Sequence, residues 1–464
     1  MYTDNFSEKE LEILRKAVHA AELKEARTVV HDSTVKKIMT IVETFLRKKK
    51  LVCYGGTAIN NILPNKDKFY DKDIDLPDYD FFSSNAVNDA KQLADLYYKK
   101  GYREIEAKAG VHHGTYKVFV NFIPIADITY IPKELETAIA KSALVRNGIR
   151  YASPDYLRMA MYLELSRPKG DVSRWEKVLK RLTLLNKNFP MKNPRCNHLN
   201  FVREFVGTNP NKIYNIIKQA SINQGLVFFG GYASQQYSKY MPSFKNLKNH
   251  PDFDILSETP KLSADLIKES LEDNGIKDIS IIKHKAFGEI ISVHYEIIVG
   301  KDTVAFLYKP LACHSYNTIK INKQYVRIAT IDTMLSFYLA FLYANRKYHD
   351  KDRIYCMSQY LFTVQIKNRL RQKGPLKRFS LNCIGEQTTL TDIRLEKKNM
   401  YDKLKSDREN PVYKEWFLKY IPTEKTVSKK NIKTLSTSLR KSRKSHKSRK
   451  SRKSRKSRKS RKKH

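Results

Sequence analysis

The order of motifs between residues 51 and 155 recurs about 175 residues further along the chain, and this repeat limits the fold more than any other feature. Four landmarks return in the same order, which chance rarely produces. The pairs are LVCYGG (51–56) with LVFFGG (226–231), DYD (78–80) with DFD (252–254), ADITYIP (126–132) with VAFLYKP (304–310), and RYASPD (150–155) with RIATID (327–332). We therefore predict an α+β fold built from a tandem duplicated module, in which each copy has a mixed sheet and its own trailing helices.

Changes in pattern divide the chain into six predicted segments. Apolar residues at helical spacing mark the helical parts, and short apolar runs ending in glycine mark the sheets. The Ser-Arg-Lys triplets at the end lack the apolar residues of a core, so we predict disorder there. The segments are an N-terminal helical segment (1–50), an α/β module (51–150), a helical segment (151–199), a second module (200–325), a C-terminal helical segment (326–422) and a disordered Lys/Arg/Ser tail (423–464).

Positive charge exceeds negative charge both in the tail and in the rest of the chain. The net charge is +40, and the 20 Lys and Arg residues after Glu424 supply half of it. A surplus of this size favours a polyanion such as nucleic acid, because each neutralised phosphate releases counterions. A basic surface kept for solubility is the alternative.

Cysteine spacing and hydropathy exclude several classes of protein. The chain has five cysteines, at positions 53, 196, 313, 356 and 383. They are far apart, odd in number and without C-x-x-C spacing, so we predict a reducing compartment and no disulfides. The N-terminus begins polar, and no apolar run reaches about 18 residues, so we expect neither a signal peptide nor a membrane span.

Gly55-Gly56-Thr57 follows a short apolar run and precedes a predicted helix. Paired glycines let the backbone approach a phosphate, and a helix N-terminus adds N–H donors. We interpret the three residues as a nucleotide-binding turn, although most such turns are only structural.

Three aspartates are the candidate catalytic and metal-binding residues. Asp78 and Asp80 lie two apart on a predicted strand and so face the same side. Neighbouring carboxylates repel one another unless a cation such as Mg²⁺ lies between them. Asp127, alone in an apolar strand, would join them if its strand were adjacent. Asp73 and Asp75 form a second Asp-x-Asp pair nearer the glycines and remain an alternative.

A glycine-ended strand, an Asp-x-Asp pair and a later single Asp resemble the palm of polymerase-beta-type nucleotidyltransferases. The strings YGGTAIN (54–60), LPDYDFFS (76–83), IADITYIP (125–132), SPDYLRMAMYLELSRP (153–168) and RWEKVLKRL (174–182) resemble, more narrowly, the poly(A) polymerase catalytic subunits of large cytoplasmic DNA viruses. This likeness is strong over residues 35–190 and looser to about residue 365. The Gly56–Asp78 interval is longer than is usual for the superfamily palm.

The resemblance implies repeated transfer of AMP from ATP to an RNA 3′ end, with two Mg²⁺ or Mn²⁺ ions and no template. It also implies a viral protein of the host cytoplasm or the virion. Some relatives work as homodimers, and others use a separate processivity subunit. The alternatives are a terminal nucleotidyltransferase with another NTP preference and a non-catalytic RNA-binding scaffold.

The second copy is predicted to be degenerate. An ungapped match of ITYIP (128–132) with FLYKP (306–310) sets Asp127 against Ala305, so the third carboxylate is lost. Tyr232 replaces Thr57, and only Asp302 lies near enough to compensate. We expect this copy to serve structure or RNA binding.

Several basic residues have two readings. Lys66, Lys68 and Lys72 lie between the glycines and the aspartates and are either triphosphate contacts or a solvated loop. Arg174, Lys177, Lys180 and Arg181 lie on a predicted helix and are either contacts to an RNA backbone or ordinary surface.

Overall fold

The computed structural model describes residues 3–71, 73–197, 207–240 and 251–427. These residues form an α+β protein with two mixed eight-stranded sheets and packed helices, so the predicted fold class is confirmed at that level. The predicted disordered tail lies outside the described residues from position 428 onward, as does Lys72. No helix in the described part of the chain is long and apolar enough to cross a membrane.

The first half of the chain contains seven helices and seven strands within the described ranges. They are α1 (Thr3–His31), α2 (Ser33–Lys49), β1 (Val52–Cys53), α3 (Gly55–Ile62), β2 (Tyr79–Ser83), α4 (Ala86–Lys99), β3 (Ile105–Ala109), β4 (Thr115–Val120), β5 (Ile123–Tyr130), α5 (Lys133–Ser142), β6 (Leu144–Arg146), β7 (Ile149–Tyr151), α6 (Pro154–Leu165) and α7 (Trp175–Asn188).

The second half begins at residue 210 and ends in a strand. Its elements are α8 (Pro210–Asn223), β8 (Val227–Phe229), α9 (Gly230–Gln235), β9 (Phe253–Leu256), α10 (Pro260–Asp273), β10 (Ile279–His284), β11 (His294–Val299), β12 (Asp302–Tyr308), β13 (His314–Ile321), β14 (Gln324–Ala329), α11 (Ile331–Phe341), α12 (Lys351–Lys367), β15 (Cys383–Ile384), α13 (Leu390–Leu404), α14 (Pro411–Phe417) and β16 (Lys419–Tyr420). Short 3₁₀ turns occur at Asn65–Asp67, Val172–Arg174, Pro194–Asn197, Ser238–Tyr240 and Gly374–Leu376.

The two sheets share the order of seven strands. The first runs β16-β3-β4-β5-β2-β1-β7-β6, and the second runs β10-β11-β12-β9-β8-β14-β13-β15. When the edge strands β16 and β15 are left out, the two orders correspond strand for strand. We call the two sheets with their helices the first and second modules. The segment predicted as C-terminal helices also supplies β15 and β16, whose two residues are too few to show a strand pattern.

Local sequence explains the hairpin that carries Asp127. Asn121 and Phe122 both have positive φ, at 49° and 65°, which is the backbone twist of a tight hairpin turn. The turn reverses the chain between β4 and β5, so β5 pairs antiparallel with β4. On its other side β5 pairs in parallel with β2, which places it in the middle of the sheet.

The modules pack through α6 and α11, the helices that follow the last strand of each sheet. Both begin at a hydroxyl cap: Ser153 accepts from Tyr156 N, and Thr330 accepts from Thr333 N. Ser153 Oγ lies 2.7 Å from Tyr343 Oη, and the backbone N–H of Ser315 donates to Ser166 O at 2.8 Å. These contacts, and the hydrogen bond that Tyr162 Oη donates to Gln365 Oε1 at 3.1 Å, hold one module against the other.

The prediction of unpaired cysteines was wrong. The structure joins Cys196 to Cys356 and Cys313 to Cys383, with Cα–Cα distances of 5.1 and 5.2 Å. Both distances lie within the range that a disulfide spans. Cys53 stays free and buried. The distances between cysteines along the sequence did not predict this, because the pairing of β13 with β15 brings together Cys313 and Cys383, which are 70 positions apart.

Candidate active site

Asp78, Asp80 and Asp127 meet at one edge of the first module's sheet. In the parallel pairing of β2 with β5, Asp80 lies directly beside Asp127. Asp78 immediately precedes β2, exposed to solvent, and the other two are half-buried. One oxygen from each of the three carboxylates lies within 4.8 Å of the others. Strand register therefore produces a compact cluster of three acids.

This cluster is electrostatically costly without a cation. Burial, followed by the charges of Asp78 and Asp127, raises the pKa of Asp80 to about 7. Burial and the charge of Asp127 also raise the pKa of Asp78. Lys117 opposes both shifts, and its Nζ lies 2.5 Å from Asp127 Oδ2. Like charges brought together in a partly desolvated place favour protonation or a bound cation.

The donor set fits a hard divalent ion. Three carboxylates supply the oxygen ligands that Mg²⁺ and Mn²⁺ prefer. Asp127 Oδ1 is buried and has no hydrogen-bond partner, which is unusual for a carboxylate oxygen and leaves it available as a ligand. Among the described residues, this is the one place where three such side chains converge.

Asp73 and Asp75 lie outside this cluster. The side chains of Asp71 and Asp75 accept backbone N–H groups within the same loop, Asp73 N donating to Asp71 Oδ1 at 2.9 Å. Asp73 is exposed and lies 3.4 Å from His31 Nε2. Asp73 and Asp75 thus belong to a surface loop that is stabilised by hydrogen bonds between its own side chains and backbone.

The glycine turn is braced against the acid strand. Gly55 has φ of +72°, and a Cβ there would collide with the carboxylate of Asp80. Tyr54 N donates to Asp80 O at 2.9 Å, and Thr57 Oγ1 donates to Asp78 O at 2.6 Å. The hydroxyl of Thr57 thus holds the turn in place. The first-turn N–H groups of α3, which begins at Gly55, point away from the helix beside the three acids.

Lys117 was missed by the sequence reading. It lies opposite Asp127 in the antiparallel pairing of β4 with β5. Counting residues back from the Asn121-Phe122 turn would have set Asp127 opposite Tyr116 instead, because a β-bulge between Val118 and Phe119 shifts the register by one residue. Of the lysines considered for the triphosphate, Lys66 is exposed and Lys68 is half-buried, and both lie in the turn after α3.

The second module lacks the third acid, but the residue in its place is not the one predicted. Asp254 lies beside Phe306 in the pairing of β9 with β12, as Asp80 lies beside Asp127. The match of Asp127 with Ala305 was therefore off by one residue, because a shared Tyr-x-Pro string does not define strand register. Asp302 lies at the far end of β12, opposite Val299.

Two further replacements distinguish the second module. Glu296 pairs with Phe306 where Lys117 pairs with Asp127, so a negative residue replaces a positive one. Gly230, with φ of +77°, still packs against the carboxylate of Asp254. The turn geometry is thus kept while the charges around it change.

Comparison with known proteins agrees with this geometry. Residues 40–171 match the family model of the poly(A) polymerase catalytic subunit. A protein of African swine fever virus (isolate Pig/Kenya/KEN-50/1950), provisionally designated a poly(A) polymerase catalytic subunit, is 35% identical over 153 residues, which is 32% of each chain. A protein of Acanthamoeba polyphaga mimivirus with the same designation is 35% identical over 156 residues, covering 32% of this chain and 25% of that one.

The likeness in sequence thus spans about a third of the relatives' length, whereas the likeness in fold extends further. The crystal structure of the Megavirus polyadenylate synthase superposes with a TM-score of 0.73 and 21% identity, covering 93% of this chain and 90% of that chain. At that identity the superposition bears on the fold alone. The match over residues 40–171 and the viral relatives that share it confirm, for that segment, the predicted similarity to the poly(A) polymerase catalytic subunit family of large DNA viruses.

Proposed function

We propose that this chain is a template-independent polynucleotide adenylyltransferase, which adds AMP from ATP to RNA 3′ ends. The observation that carries the proposal is the convergence of three carboxylates within 4.8 Å beside a glycine-led helix, inside the segment that matches the family. A surface with this much positive charge also suits a growing RNA strand.

Each acid has a proposed role. Asp78 and Asp80 would hold two divalent ions, Mg²⁺ or Mn²⁺, and Asp127 would hold the one on the RNA side. When bound, such ions lower the pKa of the RNA 3′-hydroxyl and stabilise the charge that develops on the leaving pyrophosphate. The available oxygen of Asp127 is also suited to accept the hydroxyl proton.

The transfer itself is a single displacement at phosphorus. The RNA 3′ oxygen forms a bond to the α-phosphorus of ATP while the bond to the oxygen bridging the β-phosphate breaks, and pyrophosphate leaves. Gly55, Gly56 and Thr57 would hold the triphosphate through the backbone N–H groups at the start of α3. Thr57 would act by bracing the turn through Asp78 O.

The second module is proposed to be a degenerate copy of this palm. Its strand order and glycine turn repeat those of the first module, and Phe306 replaces the third acid. Its buried interface with α6 supports a structural role, and RNA binding remains an alternative. A homodimer or a separate processivity subunit, and a place in the host cytoplasm or virion, stay predictions from the family resemblance.

Primer extension on a short labelled RNA tests the function. Wild-type protein is assayed with Mg²⁺ or Mn²⁺ and each NTP separately, beside Asp78→Asn/Asp80→Asn and the matched control Asp252→Asn/Asp254→Asn. We expect extension with ATP alone, lowered at least about a thousandfold in the first variant. The control variant should keep wild-type extension, with folding checked by circular dichroism.

Other outcomes select the alternatives. Extension with UTP or with all four nucleotides would keep the palm chemistry and replace adenylate with another preference. RNA binding without extension by the wild type would favour the scaffold. Full activity of Asp78→Asn/Asp80→Asn would remove these acids from the mechanism, and loss of activity in the control would give the second module a catalytic part.

A further inference from the structure

The segment between α3 and the acid strand is held against α7. Asn60 Oδ1 accepts the backbone N–H groups of Phe69 and Tyr70, at 2.9 and 3.1 Å. Lys187 Nζ, near the end of α7, lies 2.6 Å from Asp67 Oδ1. Residues 65–70 are therefore fixed between the nucleotide-binding turn and α7, and the side chains that they carry have defined places.

Arg181, on α7, reaches over the start of α3. Its Nη2 donates to Tyr70 Oη at 2.9 Å, and its guanidinium lies 4.9 Å from the centroid of the Phe69 ring. A Cβ on Gly56 would lie 2.5 Å from Tyr70 Oη and 3.0 Å from both Nη1 and Nη2 of Arg181. The Tyr70 hydroxyl and the guanidinium that it contacts thus occupy the space that a side chain at position 56 would need.

The two glycines face two different groups. Gly55 packs against the carboxylate of Asp80, and Gly56 packs against the Tyr70 hydroxyl and the guanidinium of Arg181. The glycine pair therefore lies between the acid cluster and a cation. Among the described residues, no carboxylate lies within ion-pair distance of Arg181, whereas the nearby Arg174 pairs with Glu164 at 3.1 Å. The charge of Arg181 is available to an anion.

We propose that Arg181 binds the β- and γ-phosphates of the incoming nucleotide and then the pyrophosphate product, with Tyr70 holding its guanidinium in place. This inference rests on the proposed function, which sets the α-phosphate beside the acids. The rest of the triphosphate then extends across the glycine turn to Arg181. A guanidinium presents paired N–H donors that match phosphate oxygens, and it stays charged at any working pH.

The second module has no such arrangement. Gly231 is the counterpart of Gly56, and a Cβ there would lie 2.6 Å from Cβ of Pro251. A proline ring thus fills the space that the guanidinium occupies in the first module. The first module, which has all three acids, thus has a cation beside the second glycine of its turn, and the second module has a proline there instead.

Direct binding to the full-length chain separates a phosphate contact from a structural one. ATP, AMP and pyrophosphate, each with Mg²⁺, are titrated into the wild type, Arg181→Met and Tyr70→Phe, and RNA affinity and melting temperature are recorded for each. Lys180→Met is the matched control, because Lys180 lies on the same helix but pairs with Glu176 at 2.6 Å on the surface.

We expect Arg181→Met to weaken ATP and pyrophosphate binding by about tenfold to a hundredfold, the range for a lost charged hydrogen bond. AMP and RNA binding should not change, and the KM for ATP should rise more than kcat falls. Tyr70→Phe should show the same selectivity with a smaller effect, since it removes only the hydroxyl that holds Arg181. Lys180→Met should bind all three nucleotide ligands as the wild type does.

Four results would overturn the inference. Equal weakening for ATP and AMP would make Arg181 a structural residue, and weaker RNA binding with unchanged ATP binding would make it an RNA contact. A wild type that extends RNA while Arg181→Met keeps its preference for ATP over AMP would overturn this inference alone. A wild type that neither extends RNA nor prefers ATP over AMP would overturn the proposed function as well.

Discussion

The two modules keep the same strand order and glycine turn, and they differ where charge is concentrated. The first has Asp127 beside Asp80 and Lys117 opposite Asp127. The second has an aromatic ring, Phe306, in place of the third acid. A partly buried acid is costly without a cation, so this difference supports the proposal that the first module binds the metal ions and the second does not.

The features that both modules share belong to the fold. A glycine with positive φ packed against an aspartate occurs at Gly55 with Asp80 and at Gly230 with Asp254. Because the second module lacks the full set of acids, this contact cannot by itself indicate chemistry. What distinguishes the candidate site is the third carboxylate, the cation opposite it, and the guanidinium of Arg181 beside Gly56.

The variants Gly55→Ala and Gly230→Ala test whether the shared glycine turn serves only the fold in the second module and also the chemistry in the first. They have the largest expected effect. Each adds a methyl group that collides with the neighbouring aspartate, at a φ that costs an L-residue about 1–2 kcal/mol. Gly55→Ala should also displace Asp80 and lower RNA extension about a hundredfold or more. Gly230→Ala should lose similar stability but extend RNA at the wild-type rate per folded molecule.

Single-turnover RNA extension gives the activity of the two variants, and thermal unfolding gives their stability. Equal losses of activity at matched folded fraction would show that the second module contributes to the reaction. Wild-type activity in Gly55→Ala would show that the position of Asp80 does not matter.

The second module should be the acid-sensitive one. Burial, helped by the charge of Arg167, lowers the pKa of His314 to about 3. The unfolded chain takes up this proton below about pH 6.5 and the folded chain does not, so stability is complete above that pH and falls as pH falls. Between pH 7 and pH 5 the loss should be about 2 kcal/mol.

His314→Leu removes the titrating ring at similar volume, so it should unfold with a shallower dependence on pH over this range. Denaturant unfolding at pH 7, 6 and 5, with Mg²⁺ present throughout, gives the comparison. The same slope in both proteins would assign the acid sensitivity elsewhere.

Lys117 and Glu296 occupy equivalent positions in the two modules. Replacing them should change the stabilisation of the protein by Mg²⁺ in different ways. Lys117→Met leaves three acids without their neighbouring cation, so stability without divalent ions should fall by about 1 kcal/mol. Added Mg²⁺ should then raise the melting temperature by more than in the wild type. Glu296→Gln weakens a contact with His284 at 2.7 Å and should leave the Mg²⁺ response unchanged.

Melting curves with and without MgCl₂ decide this case. A smaller rise in melting temperature with Mg²⁺ in Lys117→Met than in the wild type would contradict this expectation. It would mean that Lys117 helps the acids to bind the metal and does not merely neutralise them when the metal is absent.

The sequence alone determined the class and order of the elements. The repeat predicted two modules of like order, because hydrophobic runs and turns are local patterns. It also selected Asp78, Asp80 and Asp127, since an acid inside an apolar strand is conspicuous in the sequence itself. It favoured Asp78–Asp80 over Asp73–Asp75 because Phe81 and Phe82 continue the strand, the repeat supplies a matching Asp-x-Asp pair, and the family strings agree there.

Only the tertiary structure decided which residues meet. Register across β5 set Lys117 beside Asp127 and replaced Ala305 with Phe306 as the counterpart of Asp127. Packing of α7 against residues 65–70 brought Arg181, 125 positions after Gly56, to that glycine. The disulfides likewise join residues 160 and 70 apart. Such contacts depend on how whole elements pack, and a one-residue change of register, which local patterns do not encode, exchanges the partner of every side chain.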